Sequence, residues 1–393
     1  MIGGKIFDVA VVGGGTAGCA AAVSAARAGL RTILLERSAI LGGLATNGLV
    51  NWWEPMCDGM GVQLIGGIAE EMLQRALAYG GGSVPACWRQ GVPDAVRRRE
   101  SADPKENGRY VSWFSPTRLA VVLLAWLKEE GVEVVLDALL TDVRVRNGCV
   151  SSLLFATQSG METVRAKRYI DATGSCEIFF RGGFPTCEGR NALSYVVHVA
   201  DGRSLRKWHY IGDAAPWNAP DKSGFVAGTT REEVNRILQN GQLRLYEEIA
   251  AGKLTGEVVA LPAMPQFRTI RRIEGAYTLT GADANRHFAD SLCVGGDFER
   301  RGVWYEIPYR SFYLRDAGNA VAAGRVISAT GAAWGAVRVI PFAALTGEVS
   351  ALIAALSLQS GADVGALDAE KLRAAVHRRG LLTCGTDGGS TPA

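Results

Sequence analysis

The sequence is poor in the residues that hold metal ions. It contains four histidines and eight cysteines among 393 residues, and no two cysteines are spaced as a CxxC pair. Cysteine and histidine also form no cluster with the spacing of a zinc site. The pattern therefore predicts no metal site, and its scattered single cysteines indicate buried thiols in a reducing compartment.

The sequence also lacks a strong excess of charge and a long apolar run. Its net charge of +3 gives no electrostatic reason to expect nucleic acid as a partner. No segment shows the run of about 18 apolar residues that a membrane-spanning helix needs. The apolar N-terminal stretch is interrupted by glycines at 13–15, so it predicts a strand rather than a signal peptide. We therefore expect a cytoplasmic protein with no membrane span.

Two positive features of the sequence are its length and its many glycines. A chain of 393 residues is too long for one small core and favours two domains. Its 49 glycines occur without low-complexity tracts, which is typical of proteins with many tight turns and close backbone contacts.

The N-terminal segment has the pattern of a β-α-β unit. Residues 6–12 are apolar and β-rich, the alanine-dense stretch TAGCAAAVSAARAGL predicts a helix, and RTILLER follows as a second apolar strand. Gly13, Gly15 and Gly18 match GxGxxG, in which the glycines permit a tight turn, a close approach to pyrophosphate and close helix packing. Glu36 ends the second strand, where its carboxylate could accept hydrogen bonds from ribose hydroxyls. The unit predicts a dinucleotide site whose pyrophosphate lies at the helix N-terminus.

The rest of the chain favours FAD over NAD. Instead of further regular βα units, Glu36 is followed by a loop with Gly42 and Gly43. A helix opened by Ser115, a strand at 132–136, a hairpin turn at 147–148 and a strand leading into a turn at 173–174 come next. Near the end, a strand at 319–323 precedes a long apolar helix after residue 341. This late return to strand, turn and helix indicates a discontinuous nucleotide domain.

The order of these motifs, GGGxAG, ER, GGxAT, EVVLD, IDATG, GRxISAT and RVxP, resembles the FAD-dependent oxidoreductase family over residues 5–357. The FAD domain of that family is similar to those of glutathione-reductase and fumarate-reductase flavoproteins. The resemblance implies an α/β fold: a discontinuous Rossmann-like FAD-binding domain with a parallel central sheet, and an α+β substrate domain built on an antiparallel sheet. The FAD domain would span 1–46, 111–185 and 291–360, and the substrate or cap domain 47–110 and 186–290. Residues 380–393 are expected to form a disordered tail.

The resemblance also implies a set of cofactor-binding residues. They would contact the pyrophosphate, the riboses, the adenine and the flavin edge. They are Gly13, Gly15, Thr16, Ala17, Gly18, Glu36, Arg37, Gly42, Gly43, Ala45, Thr46, Val135, Ala172, Thr173, Gly174, Gly324, Arg325, Arg338 and Val339.

Candidate catalytic residues come from segments that would return to the flavin. Arg271 could bind a substrate carboxylate or form surface ion pairs. Tyr305 could relay a proton or lie buried with its hydroxyl satisfied, and Arg310 lies beside it in the chain before the last FAD strand. Trp52, Trp53 and Glu54 follow the flavin-edge loop and could be pocket walls or core residues.

The expected function is hydride transfer from a small polar metabolite to tightly bound FAD. A flavin-dependent reductase of an unsaturated substrate and a non-catalytic FAD-binding protein remain the alternatives. The expected partners are the small-molecule substrate, an electron acceptor that the sequence does not identify, and possible further copies of the chain.

Overall fold

The structure, a computed structural model, describes residues 4–101, 106–190, 195–200, 207–211, 226–254 and 256–381. The helices in this part of the chain are α1 Thr16–Arg27, α2 Gly67–Leu77, α3 Asp94–Glu100, α4 Pro116–Glu129, α5 Glu177–Arg181, α6 Arg231–Ala250, α7 Gly331–Val337, α8 Ile340–Ser360 and α9 Ala369–Arg378. The strands are β1 Ile6–Val12, β2 Thr32–Leu35, β3 Trp52–Trp53, β4 Ser112–Trp113, β5 Glu133–Val135, β6 Leu139–Arg146, β7 Cys149–Thr157, β8 Gly160–Asp171, β9 Thr186–Glu188, β10 Tyr195–Ala200, β11 Lys207–Ile211, β12 Glu257–Ala260, β13 Arg271–Ile273, β14 Ser291–Gly296, β15 Trp304–Pro308 and β16 Ala320–Ala322.

A seven-stranded, mostly parallel sheet forms the centre of the fold. Its strands run in the order β5-β2-β1-β8-β7-β6, and β16 pairs with β8. The pairs β1–β2, β1–β8, β2–β5 and β8–β16 are parallel, whereas β6 and β7 form an antiparallel hairpin that continues onto β8. Most of β1 and all of β2 are buried, which is typical of parallel strands covered on both faces. The predicted α/β fold with a parallel central sheet is confirmed.

Two apolar helices, α1 and α8, pack against each other with almost no side chain between them. A Cβ atom added to Gly347 of α8 would lie 2.0 Å from the backbone oxygen of Ala17 in α1, so no larger residue fits there. The hydroxyl of Ser24 in α1 donates a hydrogen bond to the backbone oxygen of Glu348 at 3.2 Å. Because both helices are held backbone to backbone, their N-termini are fixed relative to each other.

Helix α8 qualifies the expectation that the chain has no long apolar run. It is the one helix among the described residues whose length and apolar composition would suffice to cross a membrane. However, 89% of its most apolar 18-residue window is buried inside the protein, as in the core helix of a soluble fold. Length and hydropathy alone therefore do not distinguish a buried core helix of this kind from a membrane span.

The segments expected to form the cap contain several small antiparallel sheets rather than one. β10 lies between β11 and β12, β9 pairs with β13, and β3 pairs with β4. Helix α6 packs against β10 and β11. The antiparallel character of this region is thus as predicted, but its strands are short and distributed over separate sheets.

Several local predictions agree with the structure because their signals are local. The Ser115 hydroxyl accepts a hydrogen bond from the Arg118 backbone N–H at the start of α4, and Pro116 occupies the first turn. Asn147 and Gly148 form the turn between β6 and β7, both with positive φ. Helix α2 begins only at Gly67, although helix-favouring residues would allow it to start earlier in the segment. The glycine at 61 has a φ of 93°, which a helix does not allow.

At the C-terminus, α9 was not predicted and packs on α8 and β14. The expected disordered tail, residues 380–393, lies outside the described residues except for its first two. Of these, Leu381 is buried, which places the last described residue in the core rather than in solvent.

Candidate functional site

One cavity of about 320 Å³ lies where the glycine-rich loops meet the cap segments. One part of its wall comes from the loops after β1, β2, β8 and β16 and from the start of α8: Gly13, Gly15, Thr16, Ala17, Glu36, Arg37, Ser38, Gly42, Gly43, Leu44, Ala45, Ala172, Thr173, Gly174, Ala323, Gly324, Arg325, Arg338, Val339, Ile340 and Ala343. The other part comes from the segments 47–110 and 186–290 and from the β14–β15 connection: Gly48, Leu49, Val50, Trp52, Glu54, Val196, Met264, Gln266, Arg268 and Phe298.

The three glycines of GxGxxG meet different surroundings, and each fits its expected role. Gly13 has a φ of 97°, and a Cβ atom there would lie 2.5 Å from the backbone oxygen of Ala172. A Cβ atom on Gly18 would lie 1.8 Å from the backbone oxygen of Gly13, so α1 can approach the loop only without a side chain. A Cβ atom on Gly15 would meet nothing within 4 Å, because that position faces the cavity. The cradle thus leaves room for a group that approaches the backbone closely.

The N-terminus of α1 lies at this cavity, since Gly15, Thr16 and Ala17 all line it. Gly15 is the N-cap residue and supplies no side-chain hydrogen bond. The free N–H groups and the helix dipole favour a negative group at this end. No acidic residue occupies the first turn of α1, so nothing there competes with an incoming anion.

Glu36 ties the end of β2 to the glycine-rich loop. One of its carboxylate oxygens, Oε2, accepts a hydrogen bond from the Gly14 backbone N–H at 2.6 Å, and Oε1 accepts one from the Ser38 N–H at 2.8 Å. The same carboxylate lines the cavity. It is therefore held in a fixed position with its remaining lone pairs available to hydroxyl donors.

The turn after β8 is organised by Asp171, which the sequence analysis did not single out. Its Oδ1 accepts hydrogen bonds from the N–H and the hydroxyl of Thr173, at 3.1 and 2.7 Å, and its Oδ2 accepts one from the Ile178 N–H at 2.8 Å. Complete burial raises the pKa of Asp171 to about 6, although these hydrogen bonds oppose the shift. An acidic residue directly before a predicted glycine turn was the available signal for this role.

Arg325 joins the last glycine turn to the turn after β8 and to the cap. Its Nε donates a hydrogen bond to the Gly174 backbone oxygen at 2.6 Å, and its Nη1 donates one to the Phe267 oxygen at 2.7 Å. Burial, with a smaller effect from the positive charge of Arg37, lowers the pKa of Arg325 to about 10. The guanidinium therefore brings positive charge into this part of the cavity.

The start of α8 completes this part of the wall. Val339 is its N-cap residue and makes no side-chain hydrogen bond, and Pro341 lies in the first turn. Arg338, directly before it, lines the cavity with its guanidinium 5.5 Å from the centre of the Phe298 ring. Burial, followed by the charge of Arg268, lowers the pKa of Arg338 to about 9.

Neighbouring residues in and after the short strand β3 point alternately to the cavity and to the core. Trp52 and Glu54 line the cavity, whereas Trp53 is fully buried and its Nε1 donates a hydrogen bond to the Met56 sulfur at 3.2 Å. Burial raises the pKa of Glu54, while Trp52 and the charge of Arg109 oppose the shift. The Arg109 guanidinium lies 3.8 Å from the Glu54 carboxylate. Glu54 is thus a largely buried carboxyl group at the cap end of the cavity.

Gln266 holds the cap sheet against the loop at residue 48. Its Nε2 donates hydrogen bonds to the backbone oxygens of Gly48 and Val196, at 2.8 and 3.0 Å, and its Oε1 accepts one from the Val196 N–H at 2.8 Å. Sequence reasoning missed Met264, Gln266, Arg268 and Phe298, since they lie in irregular segments without a motif.

The family model for FAD-dependent oxidoreductases matches residues 8–198 and 218–376, which is most of the chain. The chain belongs to this family. Its cofactor is FAD, as the sequence predicted, and the cavity residues fit that group because a cradle without side chains faces the helix N-terminus. The chain is an oxidoreductase of a family that acts on small molecules, as expected.

No curated protein matches this chain significantly. Solved structures with a similar fold include a geranylgeranyl bacteriochlorophyll reductase-like protein from Thermoplasma acidophilum, at 16% identity and a TM-score of 0.49, covering 95% of this chain and 84% of that one. A flavoprotein/dehydrogenase from Cytophaga hutchinsonii has 15% identity and a TM-score of 0.46, with 94% and 82% covered. A myxobacterial FAD-dependent chondrochloren halogenase has 14% identity and a TM-score of 0.45, with 95% and 79% covered.

Most of the residues predicted to bind FAD lie together at the cavity of this FAD-dependent oxidoreductase, and three do not line it. Gly18 packs behind the loop against Gly13. The Thr46 hydroxyl donates a hydrogen bond to the Leu41 backbone oxygen at 2.6 Å, and the backbone oxygen of Val135 accepts one from the Glu36 N–H at 2.9 Å. These three residues shape the loops from behind.

The three candidate catalytic residues do not line this cavity, because other groups already engage them. The Arg271 guanidinium stacks over Phe180 with 3.9 Å to the ring centre. Tyr305 is fully buried, and its hydroxyl accepts a hydrogen bond from Arg300 at 2.6 Å. Arg310 donates to the Asp290 carboxylate at 2.8 Å. The structure thus places these three side chains outside the wall of the cavity.

Proposed function

We propose that this chain transfers a hydride from a small polar metabolite to tightly bound FAD. The observation that carries the proposal is the shared cavity: nucleotide-loop residues form one part of its wall, and cap side chains with polar groups form the other. A flavoprotein that only stored FAD would need no ionisable cap residues in that wall. Glu54 and Arg268 supply such groups.

The nucleotide part of FAD would be held by backbone N–H groups together with three charged side chains. The N–H groups at the start of α1 would bind the pyrophosphate, and Glu36 would accept hydrogen bonds from the ribose. Arg37 and Arg325 would balance the phosphate charge. The N-terminus of α8, from Val339, would place its positive dipole end against the flavin. When bound, FAD supplies a two-electron acceptor, which no side chain of the chain provides.

Glu54 is the side chain that we assign to the proton. Oxidation of a C–H bond beside a hydroxyl or amine releases a proton from that group, and a carboxylate within reach can accept it as a general base. Glu36 and Glu54 are the two carboxylates in the cavity wall formed by the described residues, and Glu36 is engaged at the nucleotide end. Burial raises the pKa of Glu54 above the ordinary value of a glutamate, as is typical of carboxyl groups that exchange protons with a substrate.

Apolar side chains would exclude water around the reacting atoms. Leu49, Val50, Trp52, Met264 and Phe298 belong to the cap side of the wall. Trp52 itself is fixed by an edge-on contact with Trp113, with ring centres 4.3 Å apart. A dry wall around few polar groups is the usual composition of a small-molecule site.

The test is the visible spectrum of the purified protein, followed by anaerobic mixing with separate sugars, hydroxy acids and amino acids. We expect an oxidised-flavin spectrum, release of FAD on denaturation, and loss of the oxidised band with one substrate class. A flavin that stays oxidised with every class, but is reduced by a chemical reductant and reoxidised by an unsaturated acceptor, would overturn the proposal in favour of a reductase.

A further inference from the structure

The cap segments that contain β3 and β4 run antiparallel beside each other, and side chains join them beyond the strand pairing. On one side of the pairing, the Asn51 side chain donates a hydrogen bond to the Phe114 backbone oxygen at 3.1 Å. On the other side, the Cys57 thiol donates one to the Gly108 backbone oxygen at 3.3 Å. The positions of the two segments relative to each other are therefore fixed along this contact.

This arrangement brings Arg109 to the carboxylate of Glu54. The Nη1 atom of Arg109 lies 3.8 Å from Oε2 of Glu54, and the two side chains are 35% and 14% exposed. Glu54 lines the cavity, whereas Arg109 does not. The guanidinium thus reaches the carboxylate from outside the cavity wall, so it leaves the space for a substrate open.

The backbone on either side of Arg109 is anchored independently of the ion pair. Gly108 accepts the hydrogen bond from the Cys57 thiol. The Tyr110 ring is buried and stacks on Trp88 with ring centres 4.8 Å apart, and its hydroxyl donates a hydrogen bond to the Glu70 carboxylate at 2.9 Å. Replacing the Arg109 side chain should therefore leave this segment in place.

The charge of Arg109 acts against the burial of Glu54. Burial raises the pKa of Glu54, and a hydrogen bond from Trp52 and the positive charge of Arg109 oppose the rise. Other charged side chains of the wall formed by the described residues do not contribute to this shift: Glu36, Arg37, Arg268, Arg325 and Arg338.

We propose that Arg109 is a positioning residue that keeps the Glu54 carboxylate ionised and fixed in the cavity wall. The inference rests on the proposed function, in which Glu54 accepts the proton that the substrate releases. A buried carboxyl group with no cation beside it is protonated more easily and is then unable to accept that proton. Arg109 counters this effect through Glu54 without touching the substrate.

The experiment follows the side-chain carboxyl carbon of Glu54 by NMR in FAD-loaded protein labelled with carbon-13 at that position of glutamate. The signal of Glu54 is the one that disappears in Glu54→Gln. Arg109→Met and Arg109→Gln are each expected to raise the pH midpoint of this signal by about one unit, since a nearby opposite charge shifts a carboxyl group by that amount or more. Arg109→Lys keeps a positive charge, so it should raise the midpoint by less than about half as much.

The matched control is Arg181→Met. The Arg181 side chain is 37% exposed, close to the exposure of Arg109, and it pairs with Glu177 away from the cavity wall. This variant should leave the midpoint of Glu54 unchanged. In turnover, the limb of the pH–rate profile assigned to Glu54 should move to higher pH by the same amount in Arg109→Met, with FAD content unchanged. A purely structural role of Arg109 would change FAD content or stability without moving the limb.

An unchanged midpoint in both Arg109→Met and Arg109→Gln would overturn the inference, and so would an equal rise in Arg181→Met. A rise as large in Arg109→Lys as in Arg109→Met would also overturn it, because packing rather than charge would then be the cause. The NMR titration needs no substrate. If no substrate class reduces the flavin, the proposed function fails, and the titration still decides whether Arg109 keeps Glu54 ionised.

Discussion

The carboxylate of Glu36 accepts a hydrogen bond from the backbone N–H of Gly14 at 2.6 Å, across the loop that precedes α1. Its second oxygen accepts from the Ser38 N–H, so both oxygens already have donors. Glu36→Gln replaces one carboxylate oxygen by an NH2 group. That group faces a backbone N–H, which is also a donor, so one of the two hydrogen bonds is lost. We expect the dissociation constant for FAD to rise about tenfold, measured by flavin fluorescence during titration.

The control for this substitution is Glu133→Gln. Glu133 opens the neighbouring strand β5, and its carboxylate pairs with Lys5 at the surface. An exposed ion pair contributes little, so FAD affinity should stay at the wild-type value. Equal FAD affinities for Glu36→Gln and the wild type would show that Glu36 does not order the loop for the nucleotide.

A substitution at Gly15 can test cofactor binding without disturbing the folding of the protein. Its φ of −69° is accessible to alanine, and a Cβ atom there meets nothing within 4 Å. We expect Gly15→Ala to leave the stability of the FAD-free protein within about 0.5 kcal/mol of wild type. Because the methyl group enters the cavity where the pyrophosphate would approach, FAD affinity should fall by at least about tenfold. Denaturant unfolding and FAD titration measure the two effects.

Gly335→Ala is the matched control for Gly15→Ala, since a Cβ atom at Gly335 in α7 also meets nothing within 4 Å and Gly335 does not line the cavity. It should bind FAD normally. By contrast, Gly18→Ala would force a contact 1.8 Å from a backbone oxygen, so loss of folding is expected there. Normal FAD binding by Gly15→Ala would place the pyrophosphate elsewhere.

The nucleotide end could be predicted from the sequence because its signals are local. A glycine turn between a buried strand and a helix has few physical solutions, and the acid at the end of β2 follows at a fixed distance. The loops carrying Gly13, Ala172 and Gly324 were therefore assigned from the chain itself. They converge because β1, β8 and β16 are parallel neighbours, whose carboxyl ends meet at one edge of the sheet.

The cap end could not be predicted in the same way. Its polar residues come from distant segments, and whether each faces the cavity depends on the register of very short strands. In β3, a shift of one residue would exchange Trp53 for its neighbours. Likewise, Tyr305 and Arg310 lie close to the FAD segments in the chain, but tertiary packing turns them towards Arg300 and Asp290. Proximity in sequence to the FAD segments therefore did not place these two side chains in the cavity wall.

Glu54 gives a prediction for turnover. If its carboxylate accepts the substrate proton, Glu54→Gln should lower kcat by about 10²- to 10⁴-fold while FAD content stays unchanged. Since burial raises the pKa of Glu54, the wild-type rate should rise with pH through that raised pKa, where the carboxylate forms. The pH–rate profile of the variant should lack this limb. The exposed Glu129→Gln serves as the control, and a variant that keeps the limb would remove Glu54 from proton transfer.

The raised pKa of Glu348 in α8 predicts how the stability of the protein changes with pH. Its Oε2 accepts a hydrogen bond from the Ile68 N–H at 2.8 Å, and burial raises its pKa from 4.5 to about 7. The folded state therefore holds a proton that the unfolded state releases, so stability falls as pH rises from about 4.5 to about 7. Glu348→Gln keeps an acceptor without the charge, and above about pH 7 it should be more stable than wild type by up to about 3 kcal/mol.

Urea unfolding of both proteins across this pH range measures the difference, which should vanish in acid. Glu71→Gln is the opposite control. Arg27 lowers the pKa of Glu71 by hydrogen bonding to it, so that variant should be less stable than wild type at neutral pH, with a deficit that shrinks as pH falls. If Glu348→Gln instead shows a constant difference at every pH, the carboxyl group of Glu348 does not titrate within the core, and the accepted hydrogen bond from Ile68 outweighs the effect of burial.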